Sequence, residues 1–383
     1  MARDRLTLLT YSLAAIFGYV LGCLGPAMPL LREELGISRA LGGLHFTFIA
    51  LGAVTAGFVV DRAAHRWGRR SLFWLGGASV AAGALLISIA RHPAGTLAGA
   101  AMIGGPGSAM LATVQSTLAD RHPVHRAVVL TEANTATSTG TVVPGLLIGV
   151  LVAAGIGWRP ALVVPAVAWA TLYALRRSSP FPAPAPPRRR GEPAALLPSY
   201  WLFWAALIPS VGAEWSVGAW GAGYLVDVAG TSEGFASASM TAFFGAMVIG
   251  RLFGSRVARH ADPVTILIGA VAVAGAGFAL FWAGTTPPVV VPGLFVTGLG
   301  ISVLFPMLLT LALGSAPGRS DTASARVSVA AGSAVVVAPL TLGWIADRAG
   351  IRFAFGAVPG LFVAIVVLTL LGSRVARGET SRG

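Results

Sequence analysis

The chain has 383 residues, 55% of them apolar and only 11% charged, with a mean hydropathy of +0.78. A soluble protein carries about 25% charged residues, so most of this chain is shielded from water and no soluble domain has room to fold. The net charge is +13 and all 27 of its strong bases are arginine, but they are not gathered on one segment as a nucleic-acid site requires.

A stretch of about 20 apolar residues crosses a bilayer core of about 30 Å. Twelve such stretches are predicted, and the first six run near 6–30, 41–60, 71–90, 94–118, 127–154 and 158–175. Arg3 and Arg5 before the first one imitate a signal peptide, but the run is too long and lacks a small-x-small cleavage site, so it reads as a span. Cys23, the only cysteine, excludes an internal disulfide and a cysteine-based metal site. Arg176 to Pro198 breaks the apolar pattern with five alternating or paired prolines followed by Arg188, Arg189 and Arg190. Such a tract is extended and semi-rigid, and its arginines suit the cytoplasmic lipid surface. The last six spans follow near 199–224, 235–256, 263–283, 288–314, 323–345 and 353–373. The chain thus divides into an N-terminal part (1–175), a linker (176–198) and a C-terminal part (199–383). With both termini in the cytoplasm, most arginines fall on the cytoplasmic side, as the positive-inside bias requires.

The two parts echo each other. At an offset of 193, Gly52 and Gly57 fall on Gly245 and Gly250, Gly105 and Gly107 on Gly298 and Gly300, and Gly157-Trp158-Arg159 on Gly350-Ile351-Arg352. Repeated halves in an apolar chain are a known route to alternating access, with the solute held between them.

The turn after the second span reads Gly57-Phe58-Val59-Val60-Asp61-Arg62, then Gly68-Arg69-Arg70. It resembles the signature loop of the major facilitator superfamily, which has one residue where this chain has Ala63 to Trp67. The four extra residues are close to one helical turn. The resemblance covers nearly the whole chain and implies an all-α membrane protein of twelve transmembrane helices in two six-helix halves. It also implies that Asp61 locks the halves on the cytoplasmic side, with Arg69 or Arg70 as local partners. Gly140 to Gly145 around Pro144 partly resembles the superfamily's antiporter motif, with Val143 in place of a glycine. Glu214, Trp215, Trp220 and Tyr224, then Gly250-Arg251, then Phe305-Pro306 are loosely similar to the fucose-permease-like branch.

An ionisable group inside a span is a functional candidate by default. Glu214 is the deepest, and shares a helical stripe with Ser210, Gly218, Gly221 and Tyr224. It is the candidate proton-coupling group; a structural carboxyl bonded to a neighbouring helix is the rival reading. Glu132 and Arg251 sit just inside the cytoplasmic ends of spans five and eight, which pack across the halves in the fold the resemblance implies. They are expected to pair as an inter-half lock. Uncharged candidates for the solute are Tyr19, Gln115, Asn134, Trp215, Trp220 and Tyr224, with His45 the weakest. Aromatics with amides suit a neutral polar ligand such as a sugar.

The leading reading is a secondary transporter of a small solute, coupled to protons, in the inner membrane as a monomer. Its partners are the solute, protons and the lipid bilayer, with no nucleic acid. A proton-coupled drug or metabolite exporter also fits. No nucleotide-binding loop, nucleophile elbow, zinc-protease motif or metal-spaced histidine set is present, so no cofactor, metal or catalytic residue is expected. The other classes kept open are a membrane-embedded enzyme and a sensor that no longer transports.

Overall fold

The computed structural model describes residues 4–182, 196–257, 261–316 and 320–380. Most of the expected linker, 183–195, lies outside the described residues. The described residues form helices and turns, with no strand. In chain order the helices are α1 (Arg5–Leu35), α2 (Arg39–Trp67), α3 (Arg69–Ile89), α4 (Pro93–Arg121), α5 (Arg126–Ala153), α6 (Val164–Arg176), α7 (Pro198–Asp227), α8 (Glu233–Val257), α9 (Pro263–Ala283), α10 (Pro287–Gly314), α11 (Ser320–Ala349), α12 (Ile351–Phe355) and α13 (Ala357–Thr380). A 3-10 turn, Arg159–Leu162, precedes α6.

Local chemistry sets these boundaries. Asp4, Ser38 and Asp262 each accept a first-turn amide of the helix they precede, satisfying donors with no partner inside the helix. Pro93, Pro198, Pro263 and Pro287 open their helices, where a missing amide costs nothing. Gly68, at φ +78°, turns the chain between α2 and α3, in a conformation that side chains with a Cβ rarely adopt.

Among the described residues, ten stretches are long and apolar enough to cross a membrane: α1 to α5, α8 to α11, and α12 with α13. The two predicted spans outside this set are α6 and α7. The α6 helix has only 13 residues. The α7 helix has 30, but Glu214 and four tryptophans, at 201, 204, 215 and 220, lower its hydropathy.

Internal contacts sort the helices into two compact units. One holds α1 to α6 with Glu233–Thr241 of α8, and the other holds α7, the rest of α8 and α9 to α13. In the first unit α1 packs on α5, and α2 and α3 both pack on α4. In the second, α9 packs on α10, and α7 on α11 and α13. Lipid removes the usual hydrophobic drive between helices, so close approach of small residues carries the packing. Gly18 and Gly140 bring α1 and α5 to backbone contact. At Gly104 an added Cβ would stand 2.5 Å from the Ile49 backbone. The first turns of α8 join the first unit in the same way, with Gly145 against the Ser237 carbonyl. The Ser237 hydroxyl donates to the Pro26 carbonyl at 2.8 Å.

The offset of 193 reappears in the packing of each unit. Gly105 lies against Gly52 where α2 crosses α4, and Gly298, 193 positions on, lies against the Phe243 backbone where α8 crosses α10. Gly157 and Gly350, 193 positions apart, have φ of +89° and +83°. Arg159 Nη2 donates to the Ala90 carbonyl at 3.1 Å. Arg352 Nη2 donates to the Ala283 carbonyl at 3.4 Å, and both residues of that pair are again shifted by 193.

Candidate functional site

In the second unit, α7 presents Glu214 about halfway along its length. Glu214 Oε1 lies 3.5 Å from Arg251 Nη2 on α8. The carboxylate is 25% exposed and the guanidinium 39%, so the pair is neither sealed in the core nor on open surface. Trp215, half-buried, follows Glu214 on the chain.

The other aromatic candidates on α7 hold the unit together. Trp220 is buried and its indole donates to the Pro339 carbonyl on α11 at 2.8 Å. Tyr224 is buried and its hydroxyl donates to the Trp282 carbonyl on α9 at 2.6 Å. Its ring packs 4.6 Å from Phe281 and 4.9 Å from Phe355. Ser210, on the same stripe, is also buried. The stripe read from the sequence therefore faces neighbouring helices along much of its length. Trp204 likewise donates to the Arg326 carbonyl at 2.7 Å.

In the first unit, Gln115 on α4 and Asn134 on α5 are exposed. Tyr19 is buried, with its hydroxyl donating to the Ala161 carbonyl at 2.9 Å. His45 is buried too, bonded through Nδ1 to the Gly42 carbonyl at 3.1 Å and through Nε2 to Thr96 Oγ1 at 2.8 Å. Glu132 accepts from the Tyr11 hydroxyl at 2.7 Å, a partner that nothing in the sequence pattern of Tyr11 singled out.

The signature loop is helical where the extra residues fall. The α2 helix runs unbroken through Ala63 to Trp67 before Gly68 ends it. The insertion therefore adds a turn and keeps the helical phase. Asp61 lies on this helix, and its side chain is outside the described residues. Arg69 is buried and pairs with Asp120 on α4 at 2.7 Å. Arg70 donates to the Arg177 carbonyl.

Two charge clusters in the first unit escaped the sequence reading. Glu34 binds Arg91 and Arg159, and accepts the Trp158 indole at 3.2 Å. Arg159 also donates to the carbonyls of Ile87, Ser88 and Ala90, so one guanidinium closes the end of α3. The repeated Gly-x-Arg was the available signal. At the other end of the unit, Asp4 pairs with Arg121 at 2.5 Å and accepts the Thr7 hydroxyl at 2.7 Å. Thr7 also bonds His122 at 2.8 Å. Burial alone would push the Asp4 carboxyl up, but the bonds from Thr7 and the charge of Arg121 outweigh it and hold it down to about 2. Among the described residues no group of three or more His, Cys, Asp or Glu is placed to hold a metal ion.

Residues 10–325 match the sequence pattern of the Major Facilitator Superfamily. The chain belongs to that superfamily. As a Major Facilitator Superfamily member it is a multi-pass membrane protein of a transporter family. It is 22% identical over 363 residues to an uncharacterized MFS-type transporter of Yersinia pestis, covering 94% of this chain and 92% of that one. It is 31% identical over 176 residues to a glucose/galactose transporter of Brucella abortus, a match spanning 43% of this chain and 40% of the relative. Among solved structures, a bacterial homolog of the human lysosomal transporter Spinster, inward-facing and unoccupied, aligns at a TM-score of 0.79 and 14% identity over 97% of each chain. The nucleoside transporter NupG aligns at 0.76 and 13% identity, over 97% of this chain and 98% of that one. At such identities these structures share the fold.

Proposed function

We propose that this chain moves a small neutral polar solute, of sugar type, across the inner membrane by alternating access coupled to protons. The two parts, 1–175 and 199–383, act as six-helix halves, with both termini cytoplasmic and the protein a monomer. The observation that carries this reading is the Glu214–Arg251 pair. While Glu214 is ionised it holds the guanidinium. A proton on Glu214 removes that attraction and lets Arg251 turn toward a second partner. Arg251 is then available to Glu132, so that one proton switches the cytoplasmic charge lock in which Asp61, Arg69 and Arg70 also act. Such a shared cation makes proton binding and closure mutually dependent, which is what coupling requires.

The sugar reading rests on three supports. The Brucella abortus relative is a glucose/galactose transporter. The α7 pattern resembles the fucose-permease-like branch. The polar candidates that the packing leaves accessible, Gln115, Asn134 and Trp215, offer amides and one indole. Tyr19, Trp220 and Tyr224 act behind them by holding the walls.

The test uses proteoliposomes loaded at one pH and diluted into another, with glucose, galactose, a nucleoside and a lipophilic cation as solutes. A sugar should accumulate only under an inward proton gradient. Glu214→Gln should keep counterflow and lose gradient-driven accumulation. Accumulation that survives Glu214→Gln would remove Glu214 from coupling. Proton-driven expulsion of the lipophilic cation, with no sugar movement, would replace this reading by the exporter one.

A further inference from the structure

The α2 and α3 helices both pack closely on α4 but barely touch one another. Between them lies a groove with a cavity of about 410 Å³, within the range of small-molecule pockets. Val59, Ala63 and Trp67 of α2 form one wall, Leu72 and Leu75 of α3 the other, and Pro106 of α4 the floor. The rims are open: Val59 is 53% exposed, Trp67 59% and Leu75 64%. Two hydroxyls line the groove, and both donate to backbone carbonyls, Thr55 to Gly52 and Ser79 to Met102, each at 2.9 Å. Nothing in the walls therefore solicits a polar solute. The groove runs along α2 from Thr55 to Trp67, about 18 Å at 1.5 Å per residue, and opens sideways along helices that cross the membrane.

Its far end is cationic. Arg62 and Arg66 lie three residues beyond Val59 and Ala63, so they flank the lining face of α2, and both are exposed. The inserted turn of the signature loop supplies this end, because Arg66 and Trp67 lie within it. We infer that this groove is a binding site for one anionic phospholipid, with an acyl chain between α2 and α3 and the headgroup phosphate at Arg62 and Arg66. The charge selects the headgroup, and Trp67 is placed as an interfacial anchor at the level where chain gives way to headgroup. The site lies wholly within one unit, apart from Glu214 and Arg251, and does not depend on which solute is carried.

Native mass spectrometry of the purified full chain, titrated with phosphatidylglycerol and phosphatidylcholine, tests this. The wild type should retain one phosphatidylglycerol, bound about 30-fold more tightly than phosphatidylcholine, as two basic side chains near an anionic headgroup imply. Arg62→Gln with Arg66→Gln should make the two lipids equivalent. Thr55→Phe with Val59→Trp, both at exposed positions, should fill the groove and weaken phosphatidylglycerol by at least about tenfold at an unchanged melting temperature. Leu75→Trp fills the groove from the opposite wall and should give the same loss, which separates filling from misfolding. Wild-type affinity in both filled proteins would overturn the site. Equal affinity of the wild type for the two lipids would overturn the anionic headgroup.

Discussion

The carboxylate of Glu214 stands 3.5 Å from the guanidinium of Arg251, on consecutive helices of one unit. Removing one partner leaves the other charge with less compensation in a low-dielectric setting, though partial exposure screens part of the cost. Arg251→Met is expected to lower stability by about 1–2 kcal/mol, and Glu214→Gln by less, since glutamine keeps the shape without the charge. The double variant should be more stable than the sum of the single losses predicts. Thermal unfolding of the four proteins in detergent checks this, and strictly additive losses would show that the pair contributes nothing.

Arg159 reaches Glu34 and three carbonyls at the end of α3. Lysine keeps the charge but cannot reproduce that planar fork. Arg159→Lys is expected to cost about 2–3 kcal/mol, because it leaves orphaned carbonyls as well as a weaker ion pair. Arg352, which donates to the Ala283 carbonyl at 3.4 Å, should lose about 1 kcal/mol or less on the same change. Equal effects at the two positions would contradict the larger role of Arg159.

Gly57 and Gly104 make a paired test of close packing. A Cβ on Gly104 would press into the Ile49 backbone, while Gly57 on α2 has nothing within 4 Å. Gly104→Ala should destabilise by about 1–3 kcal/mol or more through overpacking. Gly57→Ala should stabilise by up to about 1 kcal/mol, through helix propensity. Melting temperatures of the two variants would diverge in sign.

The Asp4 carboxyl, held down to about 2 from an ordinary value of 3.8, ties α1 to Arg121. A depressed carboxyl contributes stability that is fully present above its unfolded value and is lost as pH falls through the folded one. Melting temperature should therefore fall between pH about 4 and about 2. Asp4→Asn should remove that component while lowering stability at neutral pH. A variant that keeps the wild-type acid slope would place the titrating group elsewhere.

Composition and periodicity alone were enough to announce a helical membrane protein. Apolar runs long enough to span a bilayer have no other stable use, and lipid forces their backbone bonds into helices. The repeat was legible for a related reason. A left-handed turn strongly favours glycine, so Gly157 and Gly350 stand at the same offset in sequence and in φ. The length of the insertion in the signature loop, close to one helical turn, was legible in the sequence, but that Ala63 to Trp67 continue α2 was decided by the structure.

Which polar group meets which was decided only by the tertiary structure. Trp220 and Tyr224 are solute candidates as aromatics, but the rotation of α7 decides what their polar atoms meet, and these bind the carbonyls of Pro339 and Trp282. Asp120 became the partner of Arg69, and Glu34 the centre of a cluster with Arg91 and Arg159, across sequence separations that no local pattern encodes. The sequence determined that the chain offers a membrane a long series of apolar helices and where most of them turn, because those follow from length, hydropathy and backbone sterics. Among the described residues, ten of the twelve predicted spans are long and apolar enough to cross. The packing alone determined which charges lie within reach of each other, because that depends on the rotation of each helix about its own axis.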